Sequence, residues 1–416
     1  MTSRERVMAA LNFGPVDRTP RDLGGMRSTG ISCFAYPALV EALGLPYRKP
    51  LIYDLGQMLA LPETDLLDAL QCDVVTIEID NDSLLTNAFD EDDLWSDYDF
   101  NGRLDARVKR TQRNFRVGDD RTIVQNDLSI SMVPGSYVFD EPHGGQTLDF
   151  SAELPLLDLD EYRREMQKEL LTDERITAIA AYVSRAREAT DRAILLTGST
   201  VMTRLGIGEH GGLGVFPVIC MMEPDYVHEY HGISTEVITK NCQMLLPEIS
   251  DDVDIVLTGG GDWGTQETTF ASPDLFKGLF APYMRELNDV VHRIDSRLKT
   301  FIHSCGAVYD LLDSFIDDCA IDVINPVQWP AGGNGYKAWK DKVRGRAALW
   351  GGGMDSQKTL PFGSVEDIEA MVREVGNYYA RDGGFIFANI HNILAEISAE
   401  KAVAMFRAAG EIGHGG

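Results

Sequence analysis

Thr300-Phe-Ile-His-Ser-Cys-Gly306 is a short apolar run that ends in an imidazole, a serine, a thiol and a glycine. Residues two apart on an extended strand share a face, so His303 and Cys305 are expected on the same side at the strand's C-terminal end. Histidine and cysteine are nitrogen and sulfur donors of the kind that hold zinc in sites with an open position for chemistry. The plainer reading of Cys305 is a small buried hydrophobe.

Working outward, this run is one of eight, at residues 21–24, 73–79, 193–197, 254–259, 300–302, 322–326, 347–350 and 384–388. They are continuously apolar rather than alternating, which suits parallel strands covered on both faces. Helical patterns separate most of them. One has Ser364 as its N-cap with Asp367 three residues on, apolar side chains at Ile368, Met371, Val372, Val375 and Tyr379, and Gly383-Gly384 beyond its end. Eight strands alternating with helices predict an α/β protein with a (β/α)8 TIM barrel fold, one domain over residues 1–416. A doubly wound sheet is the other architecture open. Between the second and third runs, at about 95–150, β-branched segments flank turn signals such as Asp99-Phe-Asn-Gly-Arg103, and we read an antiparallel β-meander inserted in the barrel.

The composition excludes several functional classes. A formal net charge of −27 argues against nucleic acid or an anionic membrane surface as partner. No apolar run is long enough to span a bilayer, and the opening Met1-Thr-Ser-Arg-Glu-Arg lacks the apolar stretch of a signal peptide, so a cytoplasmic protein is expected. Cysteines 33, 72, 220, 242, 305 and 319 lack paired spacing, which points to reduced thiols.

In a barrel, function sits on the loops that follow the strands. Those loops carry Arg27 after the first run, Glu209 and His210 beyond the third, Asp262 and Gln266 after the fourth, His303 and Cys305 after the fifth. Asn325 and Gln328 follow the sixth, Gly351-Gly-Gly-Met-Asp355 the seventh, and His391 and Asn392 the eighth. The glycine clusters match no Walker loop or dinucleotide fingerprint, so no nucleotide is expected. Strands five and eight are not neighbours in a closed barrel, yet both can point a side chain over one mouth. His303, Cys305 and His391 would then be three ligands with a vacant fourth position. The alternative for His391 is a helix-terminal histidine bonded to backbone. Asp262 is either a partner for a ligand histidine or substrate cation, or an Asx-type cap in a glycine-rich turn.

The chain resembles the uroporphyrinogen decarboxylase superfamily, and within it the zinc-containing corrinoid-dependent methyltransferases. The resemblance rests on Arg4-Glu-Arg-Val-Met-Ala-Ala-Leu11 with Asp17-Arg-Thr-Pro20, Gly261-Asp-Trp-Gly-Thr-Gln266, His303-Ser-Cys-Gly306, Asp322-Val-Ile-Asn-Pro-Val-Gln328 and residues 383–392. It implies zinc held by a His-x-Cys after strand five, matched by His303 and Cys305, and by a cysteine after strand eight. His391 stands where that cysteine would be, a less electron-rich donor. The arginine-rich substrate loop of true uroporphyrinogen decarboxylases is not recognisable, since only Arg27 lies near it.

The expectation is a zinc-dependent methyltransferase that moves a methyl group between a small heteroatom-bearing substrate (methyl ether, amine or thiol) and a corrinoid. Zn2+ is bound by His303, Cys305 and His391. Asp262, Glu209 and Gln266 position or deprotonate substrate, and Arg27, His210, Asn325, Gln328 and Asn392 bind substrate or cofactor. Arg27 would pair with a substrate carboxylate or a corrinoid phosphate, its plainer role being a surface ion pair. No corrinoid-binding module is visible, so cobalamin would come free or on a separate corrinoid protein. A homodimer is expected on frequency alone. The alternatives are a cofactor-free decarboxylase of the uroporphyrinogen decarboxylase type and a small-molecule-binding barrel without catalysis.

Overall fold

The computed structural model describes residues 1–79, 92–141, 154–209 and 211–413. Seven strands form one sheet in sequence order: β1 (Val74–Glu78), β2 (Ala193–Thr197), β3 (Ile255–Gly259), β4 (Lys299–His303), β5 (Val323–Asn325), β6 (Ala348–Trp350) and β7 (Phe385–Ile386). Every pair is parallel. The sheet curls until its edges meet across residues 20–22. Arg21 bridges Phe387 in parallel, Asp22 N–H donates to the Phe387 carbonyl, and Asp73 N–H donates to that of Arg21. The first predicted run is thus a single bridge residue rather than a strand over 21–24. Gly24, at φ +79°, turns the chain out of the extended conformation.

The apolar strands divide by parity into two cores. Val74, Ala193, Leu195, Ile255, Leu257, Phe301, Val323, Ala348, Trp350 and Ile386 pack together with Val7, Ala10 and Leu11 of the N-terminal helix Ser3–Leu11. Their neighbours, among them Val75, Ile77, Ile194, Leu196, Val256, Ile302, Ile324 and Leu349, pack in a larger cluster with the buried faces of the helices. Alternation inside a continuous apolar run therefore reflects burial on both faces, with one parity filling the barrel.

The helix Val365–Tyr379 starts at a capping box between Ser364 and Asp367 and buries Ile368, Val372, Val375 and Tyr379. Between β1 and β2 lie two small antiparallel sheets. One is the hairpin Trp95–Asp99 with Asp105–Lys109. The other comprises Phe115–Val117, Ile123–Gln125 and Ile130–Met132. Asn101 and Gly102 turn the hairpin at φ +57° and +73°, a pair of left-handed residues that suits a tight turn. Residues 142–150 of the expected meander lie outside the described residues. A third antiparallel sheet, of Ile31–Ser32, Ile52–Asp54 and Leu59–Ala60, was not foreseen; its strands have two or three residues each, too few to show a period.

The helix Gly335–Val343 ties down the turn that feeds β7, because the buried Lys340 ammonium donates to the Gly383 carbonyl at 2.6 Å. Burial lowers the Lys340 pKa to about 8. Between that value and the unfolded lysine's, the unfolded chain holds a proton that the folded one has released, so this residue makes stability rise with pH. Urea midpoints from pH 7 to pH 10 should climb more steeply for wild type than for Lys340→Met. Parallel curves would contradict the assignment.

Candidate metal centre

Strand parity carries past the core to the C-terminal ends. Phe301 faces inward, so His303 does; Leu195 places Thr197, and Val74 with Thr76 places Glu78. These three side chains, with Leu257, line a cavity of about 690 Å³ at the barrel mouth, shared with Arg27, Asp262, Cys305 and His391.

His303 is oriented by an amide behind it. Asn325 Nδ2 donates to the Trp350 carbonyl at 3.0 Å, which leaves Oδ1 turned toward His303 Nδ1 at 2.7 Å. Ser28 Oγ donates to the same Oδ1 at 3.1 Å and stands 2.9 Å from Nδ1. An amide oxygen only accepts, so Nδ1 carries the proton and the Nε2 lone pair is free. That Nε2 lies 3.4 Å from Cys305 Sγ.

Cys305 is set by a close crossing of two loops. Gly306 has φ +89°, and a Cβ there would lie 2.1 Å from the Gly264 carbonyl oxygen, so only glycine fits. Gln328 Oε1 accepts from Gly306 N–H at 2.8 Å, and Asp262 Oδ1 accepts from Cys305 N–H at 3.0 Å. His391 arrives from the loop after β7, with its backbone N–H given to Ser356 Oγ at 3.1 Å. Its ring centroid is 6.1 Å from that of His303. One donor atom from each of His303, Cys305 and His391 lies within 4.8 Å of the others.

These donors fit zinc. Burial lowers the pKa of His303 and takes that of His391 to about 4, with the neighbouring imidazole adding to the shift, so both rings are neutral and available as ligands. Burial and then the Asp262 carboxylate push the Cys305 thiol well above its ordinary value. A bare thiolate is thus unfavourable here, and a divalent cation is the charge that would stabilise it.

The other predicted residues divide. Arg27 and Asp262 are on the cavity wall. Asn325, Gln328 and Asn392 are buried behind it at 0%, 6% and 4% exposure. All three bond to neighbouring protein groups: Asn325 holds His303, Gln328 holds Gly306, and Asn392 accepts from Gly30 N–H at 2.9 Å and donates to Gln57 at 3.0 Å. Glu209 is absent from the wall because its carboxylate accepts from Gly206 N–H at 2.9 Å and Tyr230 O–H at 3.2 Å. Gln266 is also off the wall, since Gly260, Gly261 and Asp262 supply that stretch of it. His210 lies outside the described residues. Ser28, Tyr53 and Glu78 line the cavity without having been singled out. Glu78 was visible as a carboxylate at the end of an apolar run; Ser28 and Tyr53 carry no local signal.

The model of the family Uroporphyrinogen decarboxylase (URO-D) matches residues 153–412. The chain therefore belongs to the uroporphyrinogen decarboxylase family. Among solved structures it is similar to a methyltransferase from Methanosarcina mazei at 15% identity and a TM-score of 0.53, over 99% of each chain, a likeness of fold. A GH10 xylanase with a bacterial Ig-like domain from termite gut matches at 8% identity and a TM-score of 0.35, over 54% of this chain and 62% of that one. Xylanase XynB from Paenibacillus barcinonensis, in complex with a conduramine derivative, matches at 8% and 0.30, over 43% and 69%. Neither xylanase likeness is close enough to bear on this chain. No curated protein matches it.

Removing the amide that orients His303 should weaken metal binding without removing a ligand. Asn325→Ala is expected to lower zinc affinity about 10- to 100-fold in competition with a chromophoric chelator, whereas Glu209→Gln leaves it unchanged. Equal affinities in all three proteins would show that the Asn325–His303 contact does not serve the site.

Proposed function

We propose that this barrel is a zinc-dependent methyltransferase that moves a methyl group between a small heteroatom-bearing substrate, a methyl ether, amine or thiol, and a corrinoid. The observation that carries this reading is the convergence of His303, Cys305 and His391 at the mouth of a cavity of about 690 Å³. Zinc held by these three side chains would act as a Lewis acid on the reacting heteroatom, making it a better leaving group or nucleophile.

The chain's own residues do the remaining work. Ser28 and Asn325 keep the His303 proton on Nδ1, so Nε2 stays a donor. Asp262 gives Oδ1 to Cys305 N–H and lies on the cavity wall, where its carboxylate would take or return the heteroatom's proton. Met26, Met202 and Leu257 give the cavity an apolar wall, which limits water around the methyl group.

The corrinoid would reach the mouth as free cobalamin or on a separate protein. We take the chain as one barrel domain over residues 1–416 with an inserted meander at about 95–150, in a cytoplasmic homodimer. No helix among the described residues is long and apolar enough to cross a membrane. A decarboxylase acting on a polycarboxylate fits less well, because Arg27 is the one cationic side chain among the described residues of the wall.

Elemental analysis and turnover test the proposal together. Wild type should hold close to one zinc per chain and methylate cob(I)alamin from a methylated donor. Cys305→Ala and His391→Ala should lose metal, and with it activity by about 100-fold or more. Full turnover in metal-free variants would refute the zinc role.

A further inference from the structure

The electrostatics of the cavity narrow the substrate class. Arg27 is 48% exposed, so a ligand can reach it, but its charge is already answered. Nε lies 3.1 Å from Glu78 Oε2, Nη2 bonds Glu78 Oε1, and Nη1 lies 3.0 Å from Asp54 Oδ2. Tyr53 O–H donates to Glu78 at 2.6 Å, and the Arg27 guanidinium carbon sits 5.8 Å from the Tyr53 ring centroid. One guanidinium thus faces two carboxylates, and Asp262 lines the same cavity with Oδ1 4.0 Å from His303 Nε2. A divalent metal on the His303, Cys305 and His391 triad would be offset by the Cys305 thiolate and Asp262. Residues 80–91, 142–153, 210 and 414–416 contain no lysine or arginine, so they supply no such cation to change this balance.

We infer that the substrate taken at this cavity is neutral or cationic, without a carboxylate, sulfonate or phosphate, and that Glu78 sets the preference by neutralising Arg27. This rests on the methyl-transfer reading for the identity of the site, but not for its charge. An anionic ligand would have to displace Glu78 from Arg27 or remain unpaired beside carboxylates, at the desolvation cost of an uncompensated charge. A cation instead finds the Asp262 and Glu78 carboxylates on the wall of the same cavity.

Cys305 gives a probe that needs neither zinc nor turnover, since it is half-buried while Cys33, Cys72, Cys220, Cys242 and Cys319 are buried. On metal-free full-length protein, rates of Cys305 modification would be measured with methanethiosulfonates bearing a trimethylammonium or a sulfonate group. Each rate is divided by that for 2-mercaptoethanol, and Cys305→Ala identifies the residue modified. The normalised rate should favour the cationic reagent about tenfold or more, less so at high salt, and Glu78→Gln should bring the two closer. Equal rates, or a faster sulfonate, in wild type would overturn the inference whether or not the variant folds. Selectivity for the cation in a protein that never transfers methyl would leave this inference standing and remove the methyl-transfer reading instead.

Discussion

Inward alternation in a closed parallel barrel is the constraint from which the site follows. Once Phe301 is committed to the barrel interior, His303 must face the mouth. The same parity turns Glu78 and Thr197 into the cavity and aims Asn325 at the back of the His303 ring. Closure across residues 20–22 matters equally, because it brings the β7 end, and His391 beyond it, round to the same rim. An open sheet with the same strands would leave His303 and His391 far apart.

Two kinds of support hold the three donors. Polar support comes from buried amides: Asn325 fixes the His303 tautomer and Gln328 anchors the turn after Cys305. Steric support comes from Gly264 against Gly306, a crossing that a side chain at either position would force apart. The environment is dry enough to keep both imidazoles neutral and to disfavour a thiolate alone. Those preferences suit a cation-binding site better than a proton-binding one.

Much of this was legible in the sequence, for physical reasons. Continuous apolar runs of three to seven residues marked the buried parallel strands, and the capping box at Ser364 marked a helix start. His303, Cys305 and His391 stood out because such residues are uncommon at strand ends. What local sequence could not show was packing distant along the chain: Ser28 meets His303 across 275 residues, and Tyr53 comes from a strand too short to have a period. Asn325, Gln328 and Asn392 were recognised as belonging to the mouth, but polarity alone does not separate a residue that touches substrate from one that braces its neighbour. Glu209 and Gln266 belong to the same difficulty, since their loops were identifiable and the direction of their side chains was not.

X-ray absorption at the zinc edge of the reconstituted protein tests the central claim most directly. The account predicts one sulfur at about 2.3 Å with nitrogen or oxygen neighbours at about 2.0 to 2.1 Å, the imidazole scattering of two histidines, and loss of the sulfur shell in Cys305→Ser. A shell without sulfur, one with two or more sulfurs, or no zinc retained after reconstitution would contradict it.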